Sequence, residues 1–426
     1  MNIWQERVNN FIFLALCLVA CFPALSMKLT VIFIIIYTSS SVLAGMVWNI
    51  RNITRVRIYE LLMLLFPFLL ILFRTTVTDP SPQSKFYLEV SMSLLAFPLA
   101  FFMIPLKIDK RKRGILNTIF IISTFVVVTY GLIKVAIKFS GHLGSDKFWK
   151  TPSDMLGDPS FAFLVRTVFE QSVSIHPTYA SIFIGIAILI LLDKLLRKFK
   201  TLTWNEKFLF YSSISLALLY LGILASRTPF IATMIAALVL FFMHLQKKMY
   251  ALYVIGVMGI MTLFLILFVP SFSSRFKEIS FSNTSLPTEQ HENSFNLRTG
   301  IYKCSLEIIS ENWAWGVGPG NVQSKLNECY SNISKEVYDN KNYNTHNQFL
   351  DYWAGLGILG PVSLLIILCY ASYRNFKIQN YLVISLCILF LFALLTENLL
   401  NRQNGIVPFA YFLSLYFFGN KTKETS

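Results

Sequence analysis

Charge is what this sequence has least of. Only 14% of its 426 residues are Asp, Glu, Lys or Arg, against 55% hydrophobic. A water-soluble chain of that length needs far more polar surface. Acidic residues are scarcer still, 22 against 37 basic. No Asp-x-Asp pair is present to hold a divalent ion. Cys-x-x-Cys and His-x-x-x-His spacings are also missing, so no metal site and no cofactor is expected. Of the six cysteines, Cys17, Cys21, Cys369 and Cys387 lie in apolar runs and read as packing residues. Cys304 and Cys329 share a polar segment, where an oxidising compartment would allow a bridge; the sequence leaves bridged and free thiols equally open. No small-residue cleavage pattern follows the first apolar run, so that run is expected to stay as a membrane anchor.

What the chain does have is long apolar runs. They lie near 8–26, 29–48, 58–73, 86–104, 115–137, 176–193, 208–225, 229–246, 250–270, 348–373, 380–398 and 405–419. Runs of about 18 residues or more read as membrane-spanning helices. Backbone groups in lipid must be satisfied within each segment, so the expected fold is all-α: one polytopic membrane domain over 1–426, with about twelve spans. The third run is short and is expected to kink at Pro67.

The net charge of +15 does not point to nucleic acid, because of where it sits. Arg51, Arg55 and Arg57 follow the second run. Lys107, Lys110, Arg111, Lys112 and Arg113 follow the fourth. Lys194, Arg197, Lys198, Lys200 and Lys207 follow the sixth. Lys247 and Lys248, Arg374 and Lys377, and Lys421 and Lys423 follow at every second loop. The alternate loops are poor, holding Lys28, Arg74, Lys85, Arg227 and Arg402. That alternation is the positive-inside pattern and places both termini in the cytoplasm.

Two outward loops are long, about 138–175 and 271–345. The second, with its end at 346, is expected to form a subdomain between the ninth and tenth spans, and a connector that long carries function. Inside it, Asn296 is expected to cap a helix reaching about Ile309, with Leu297, Ile301, Cys304 and Ile308 as its apolar stripe. The helix should stop before Trp313-Ala314-Trp315-Gly316-Val317-Gly318-Pro319-Gly320, a turn.

Four arginines stand at outward positions: Arg166, Arg227, Arg298 and Arg402. Each alone reads as an interface residue. Arg227 differs because Ala225-Ser226-Arg227-Thr228-Pro229 is a minimal hairpin between two apolar runs, where a charge is costly. Arg298 is placed in the first turn of the loop helix, where it and free backbone N–H groups would grip one anion. His176 and His346 open the sixth and tenth runs. A helix N-terminus disfavours an imidazolium and favours a ring that accepts a proton. His142, His291 and His244 have no such setting.

The stretch from Asn296 to Pro361 resembles the domain shared by bacterial O-antigen ligases and O-antigen polymerases. Leu297-Arg298-Thr299-Gly300-Ile301-Tyr302 opens the loop helix. Trp315-Gly316-Val317-Gly318-Pro319-Gly320 forms the turn. His346-Asn347-Gln348-Phe349-Leu350 then leads to Gly355-Leu356-Gly357-Ile358-Leu359-Gly360. Ser226-Arg227 resembles the family's Ser-Arg-Gly element, with Thr228-Pro229 departing from it, and His176-Pro177 resembles an element of many relatives.

The resemblance implies a GT-C-like membrane glycosyltransferase of the bacterial inner membrane, acting at the periplasmic face. Its donor would be a glycan on undecaprenyl diphosphate. A ligase would transfer it to a lipid A-core sugar; a polymerase would transfer it to a second lipid-linked repeat unit. His346 is then the expected general base. Arg227 and Arg298 are the expected diphosphate ligands, with Arg166 and Arg402 as further contacts and His176 and Asn347 as other site candidates. The expected transfer is metal-independent and inverting. A transporter is the competing class. The lack of ion-coupling acids in the spans and the outward position of the largest loop argue against it. A purely structural or receptor protein would leave the arginines and the histidine unexplained.

Overall fold

The computed structural model describes residues 3–48, 54–140, 159–244, 256, 259–260, 263–264, 266–269, 286, 294–338 and 342–418. The run near 250–270 falls mostly outside the described residues. So do His142, His291, Lys247, Lys248, Lys421, Lys423, Arg51 and the loop stretch 271–293 apart from 286.

Among the described residues the regular structure is helical, with no strand. The helices are α1 (Ile3–Ala20), α2 (Met27–Trp48), α3 (Arg55–Phe73), α4 (Pro82–Ser91), α5 (Ser93–Met103), α6 (Lys110–Ser140), α7 (Pro159–Val173) and α8 (Pro177–Lys198). They continue with α9 (Trp204–Ile223), α10 (Arg227–His244), α11 (Ser294–Asn312), α12 (Val322–Tyr338), α13 (Gln348–Leu356), α14 (Leu359–Lys377), α15 (Tyr381–Thr396) and α16 (Gln403–Phe418). Seven helical stretches among the described residues are long and apolar enough to cross a membrane. They are α2, α3 with its extension to Val77, α4 and α5 taken together, α6 to Lys138, α8, α9 and α10. The apolar helix α15 is shorter. The protein is an all-α polytopic membrane protein.

Several runs differ from the sequence reading. The third is longer than expected: α3 carries Pro67 inside it and passes into a π-helical turn, Arg74–Thr78. The tenth is two helices. Gly357, at φ 73°, ends α13, and α14 starts afresh two residues on. The outward loop at 138–175 holds a helix of its own, α7. The spans also contain acids that the argument against a transporter overlooked. Glu60 and Asp193 are buried, and each is matched by an arginine.

Packing centres on two helices that are apolar all round, which is the pattern of a buried helix. In α8 every residue from Pro177 to Asp193 is buried; it packs against α6, α9, α10 and α15. In α16 the buried stretch runs unbroken from Gly405 to Phe418, against α5. The more peripheral α2, α3 and α9 leave large apolar side chains such as Leu43, Leu62 and Leu209 exposed, as lipid-facing helices must.

The basic loop residues meet at one end of this bundle. The Arg57 guanidinium donates to the Phe102 carbonyl and lies over the Phe418 ring. Arg374 pairs with Glu60 at 3.1 Å and lies over Phe417. Arg113 lies over Tyr416, and the Arg197 Nε–H is shared between both oxygens of Asp193 at 2.8 Å. These guanidiniums are therefore structural at their tips as well as topological. The opposite end collects 74–84, 174–179, 224–228, the loop helices α11 and α12, and 397–403.

Candidate active site

The loop subdomain has its own small core. Ile301, Cys304 and Ile308 of α11 face Leu326, Cys329 and Tyr330 of α12. Cys304 and Cys329 are bridged. The expected stripe on α11 is thus the packed face, but its start is not where expected. The helix begins at Ser294, so Asn296 is inside it and fully buried rather than capping it. Arg298 then stands in the second turn.

The turn after α11 ties the subdomain to the bundle. Val317 and Gly318 N–H donate to the carbonyls of Ala354 and Gly355 at 2.7 and 3.0 Å, and Ile358 N–H donates back to Trp313 at 2.9 Å. Arg74 donates to the Gly316 carbonyl at 2.9 Å. Gly320 N–H donates to Asp79 Oδ2 at 3.0 Å and to Ser84 Oγ at 2.8 Å. Burial pushes the Asp79 carboxyl up, but donated bonds from Ser84, Ser81 and Gly320 outweigh it and hold it below its usual range. Gly318 sits at φ 95°, and a Cβ there would lie 2.8 Å from Asp79.

Gly318→Ala is therefore expected to unseat the turn. A left-handed alanine costs about 1–3 kcal/mol before any overlap is counted. Hydrogen exchange at 316–320 should quicken about tenfold or more, with the spans unaffected. Unchanged protection would show that the Asp79 contact does not hold the turn.

At the same end, one carboxylate gathers the two strongest sequence candidates. Glu397 follows the last residue of α15 in extended conformation. Its Oε1 lies 3.8 Å from Arg298 Nη2, and its Oε2 lies 3.6 Å from His346 Nδ1. The three side chains are 22% (Glu397), 36% (Arg298) and 28% (His346) exposed, so the cluster is open on one side. Burial pushes the Glu397 carboxyl up; His346, Arg298 and His176 outweigh that and hold it below the usual carboxylate range.

His346 has φ 45°, a left-handed conformation that is uncommon for a residue with a side chain. Its N–H donates to Asn344 Oδ1 at 2.9 Å. The next residue, Asn347, caps α13: its Oδ1 accepts from Phe349 and Leu350 N–H at 2.9 and 3.2 Å. Asn347 thus acts in the structure as the cap that fixes the chain beside His346. Behind it lies a buried polar web. Asn398 Oδ1 accepts from Thr345 and from Asn347 N–H, both at 3.0 Å. Asn398 and Asn401 donate to the two oxygens of Asp351 at 2.9 and 3.0 Å. Tyr87 donates to Asp351 as well. The web locks the segment 345–351 to 398–401 and so fixes His346 against Glu397.

The remaining candidates surround this cluster. His176 caps α8, with Nδ1 accepting from Thr178 N–H at 3.3 Å. Burial first, then Arg166, holds its pKa below the usual histidine value. Glu397 and Arg402 both act on it electrostatically. Arg402 is exposed. Arg166 reaches across to the α9–α10 hairpin, donating to the Leu224 carbonyl at 3.0 Å and to Ser226 Oγ at 2.9 Å. Arg227 is the first residue of α10 and half-buried, directly after that serine.

Sequence reasoning missed Glu397, Asp351, Asn398 and Asp79. Glu397 did leave a signal. Between Asp351 and Glu424 it is the only acidic residue, and it stands at the outward end of an apolar run.

Residues 210–365 match the family model described as O-antigen ligase. Arg227, Arg298, His346 and Asn347 fall inside the match; Arg166, His176, Glu397 and Arg402 fall outside it. No curated protein matches the chain. Over this segment, a little more than a third of the chain, the protein is similar to the O-antigen ligase family.

Proposed function

We propose that the protein is an O-antigen ligase of the bacterial inner membrane, with both termini cytoplasmic and the Glu397 cluster facing the periplasm. It takes a glycan from undecaprenyl diphosphate and joins it to a sugar of the lipid A core. The observation that carries this reading is the meeting of Arg298 and His346 on one carboxylate at the end opposite the basic loops.

The chemistry follows from these groups. The acceptor oxygen attacks C1 of the donor sugar from the face opposite the diphosphate, so the configuration inverts. The C1–O bond to phosphate breaks, and its electron pair leaves with the diphosphate. With the proton of His346 on Nδ1 toward Glu397, Nε2 is the basic nitrogen and takes the acceptor's hydroxyl proton. Guanidiniums placed where phosphate charge grows stabilise the transition state by several kcal/mol. Arg298 and Arg227 take that role. Arg166, already spent on Leu224 and Ser226, positions the hairpin that carries Arg227. The exposed Arg402 supplies further charge at the mouth.

Purified protein supplied with lipid-linked glycan and lipid A core should form the conjugate, which no carrier would do. Arg227→Ala and Arg298→Ala should each lower turnover at least about tenfold, or about 1.4 kcal/mol. Lysine should rescue only in part, because it lacks the planar fork. Full activity in the alanine variants would remove these residues from the site. The glycan of a deletion strain separates the two family activities. Core without long chains, with carrier-linked polymer accumulating, means ligase. Single repeats on the core mean polymerase, whose acceptor is a second lipid-linked repeat unit.

A further inference from the structure

The outward end holds a cavity of about 390 Å³ that the transfer chemistry above does not use. It lies between α4, the Gly-rich turn with the start of α12, and the buried polar web. Its volume falls within the range of small-molecule sites, roughly 300–1,000 Å³. Gln83 and Phe86 of α4, Gln323 of α12, and Asn344, Asp351 and Asn401 contribute to its wall. Among the described residues, no lysine or arginine does. An anionic group would meet Asp351.

The wall instead suits a neutral polyol with an apolar face. Phe86 is 65% exposed and offers a ring against which C–H groups can pack. Gln83 is exposed, and its amide can both donate and accept. Gln323 commits its Nε2 to Asn327 and to the Tyr343 carbonyl, which leaves its oxygen as an acceptor. Asn344 commits its Oδ1 to the His346 N–H, which leaves its amide hydrogens as donors. The Asp351 oxygens are occupied by Asn398, Asn401 and Tyr87 and serve as the rigid floor. Donors, acceptors and one aromatic face set around one pocket are what a sugar subsite requires.

The cavity also abuts the proposed base, since Asn344 is at once part of its wall and the partner of the His346 backbone. The base acts on the acceptor. We propose that this cavity binds a neutral hexose of the acceptor glycan, so that the neighbouring hydroxyl is delivered to His346. The assignment to the acceptor rests on the glycosyl-transfer reading; the sugar subsite itself does not.

Two measurements test it on the full-length protein. Phe86→Ala and Gln83→Ala should raise the acceptor KM at least about fivefold, with kcat and donor KM within about twofold. In calorimetry with delipidated core oligosaccharide, Gln83→Trp, which fills the cavity, should weaken binding at least about tenfold. Both positions are exposed on α4, so neither change disturbs the core. Wild-type protein that binds the oligosaccharide but transfers nothing overturns the transfer reading and leaves the subsite in place. A donor KM that moves in place of the acceptor KM overturns the acceptor assignment. Transfer with wild-type KM values in all three variants, or undiminished oligosaccharide binding by Gln83→Trp, overturns the subsite.

Discussion

His346→Ala is expected to lower glycan transfer at least about a hundredfold while the protein still inserts and still binds the lipid-linked donor. General-base assistance is typically worth 10²–10⁴-fold, and the geometry around this ring is built for one task. Asn347 fixes the start of α13, Asn398 holds Thr345 and Asn347, and Asn344 takes the His346 N–H. Together they keep the residue at φ 45° with Nδ1 toward Glu397. Such a conformation persists only where the surroundings over-determine it. In the proposed transfer the ring acts on the acceptor, so loss should fall on turnover and spare donor affinity. Donor binding is read with labelled lipid-linked glycan, and turnover by conjugate formation. Substantial residual turnover would make the ring a positioning group and move the base to His176, whose neutral imidazole lies in the same electrostatic neighbourhood. Loss of donor binding would place His346 at the diphosphate and leave the base elsewhere.

The parts legible in the sequence are those set by local composition. Lipid demands long apolar runs, and these foretold the helical fold. Charge selection between loops foretold that the arginines after the second, fourth, sixth and tenth runs would meet at one end, as Arg57, Arg113, Arg197 and Arg374 do. The Gly316–Gly320 turn was legible because positive φ and close approach restrict a backbone to glycine. What escaped was long-range pairing. Asp79 is unremarkable until Gly320 is set on it, and Glu397 looks like an ordinary interface residue until α11 and the 344–347 segment fold onto it. Asn296 misled for a related reason: an asparagine near a helix start reads as a cap, yet its complete burial belongs to tertiary packing. Asn347 was singled out for chemistry and is visibly used as the cap that Asn296 was expected to be.

Glu397→Gln is the second large effect expected, about ten- to hundredfold on kcat, by analogy with the loss when the hydrogen-bond partner of a metal-bound histidine is removed. Glu397 touches no reacting atom in the proposed transfer; it positions His346 and Arg298. The change keeps the volume and removes the charge, so what is lost is the preference for the tautomer with the proton on Nδ1, together with the pull on Arg298. Donor KM should hold or fall, because Arg298 is then free for phosphate, whereas a merely misfolded site would raise it. Stability adds a second readout. The Glu397 carboxyl titrates lower in the folded protein than in the unfolded chain. Its ionised form therefore stabilises the fold above the unfolded value of about 4.3, and that contribution is lost as the pH falls through the lower folded value. The gap in Tm between wild type and Glu397→Gln should accordingly be present above about pH 5 and close only below about 4.3. Glu397→Asp should recover Tm more fully than kcat, since the charge returns but the shorter side chain sits farther from both partners. A gap that closes already near pH 6, or a glutamine variant with wild-type kcat, would mean that Arg298 and His346 do not depend on this carboxylate.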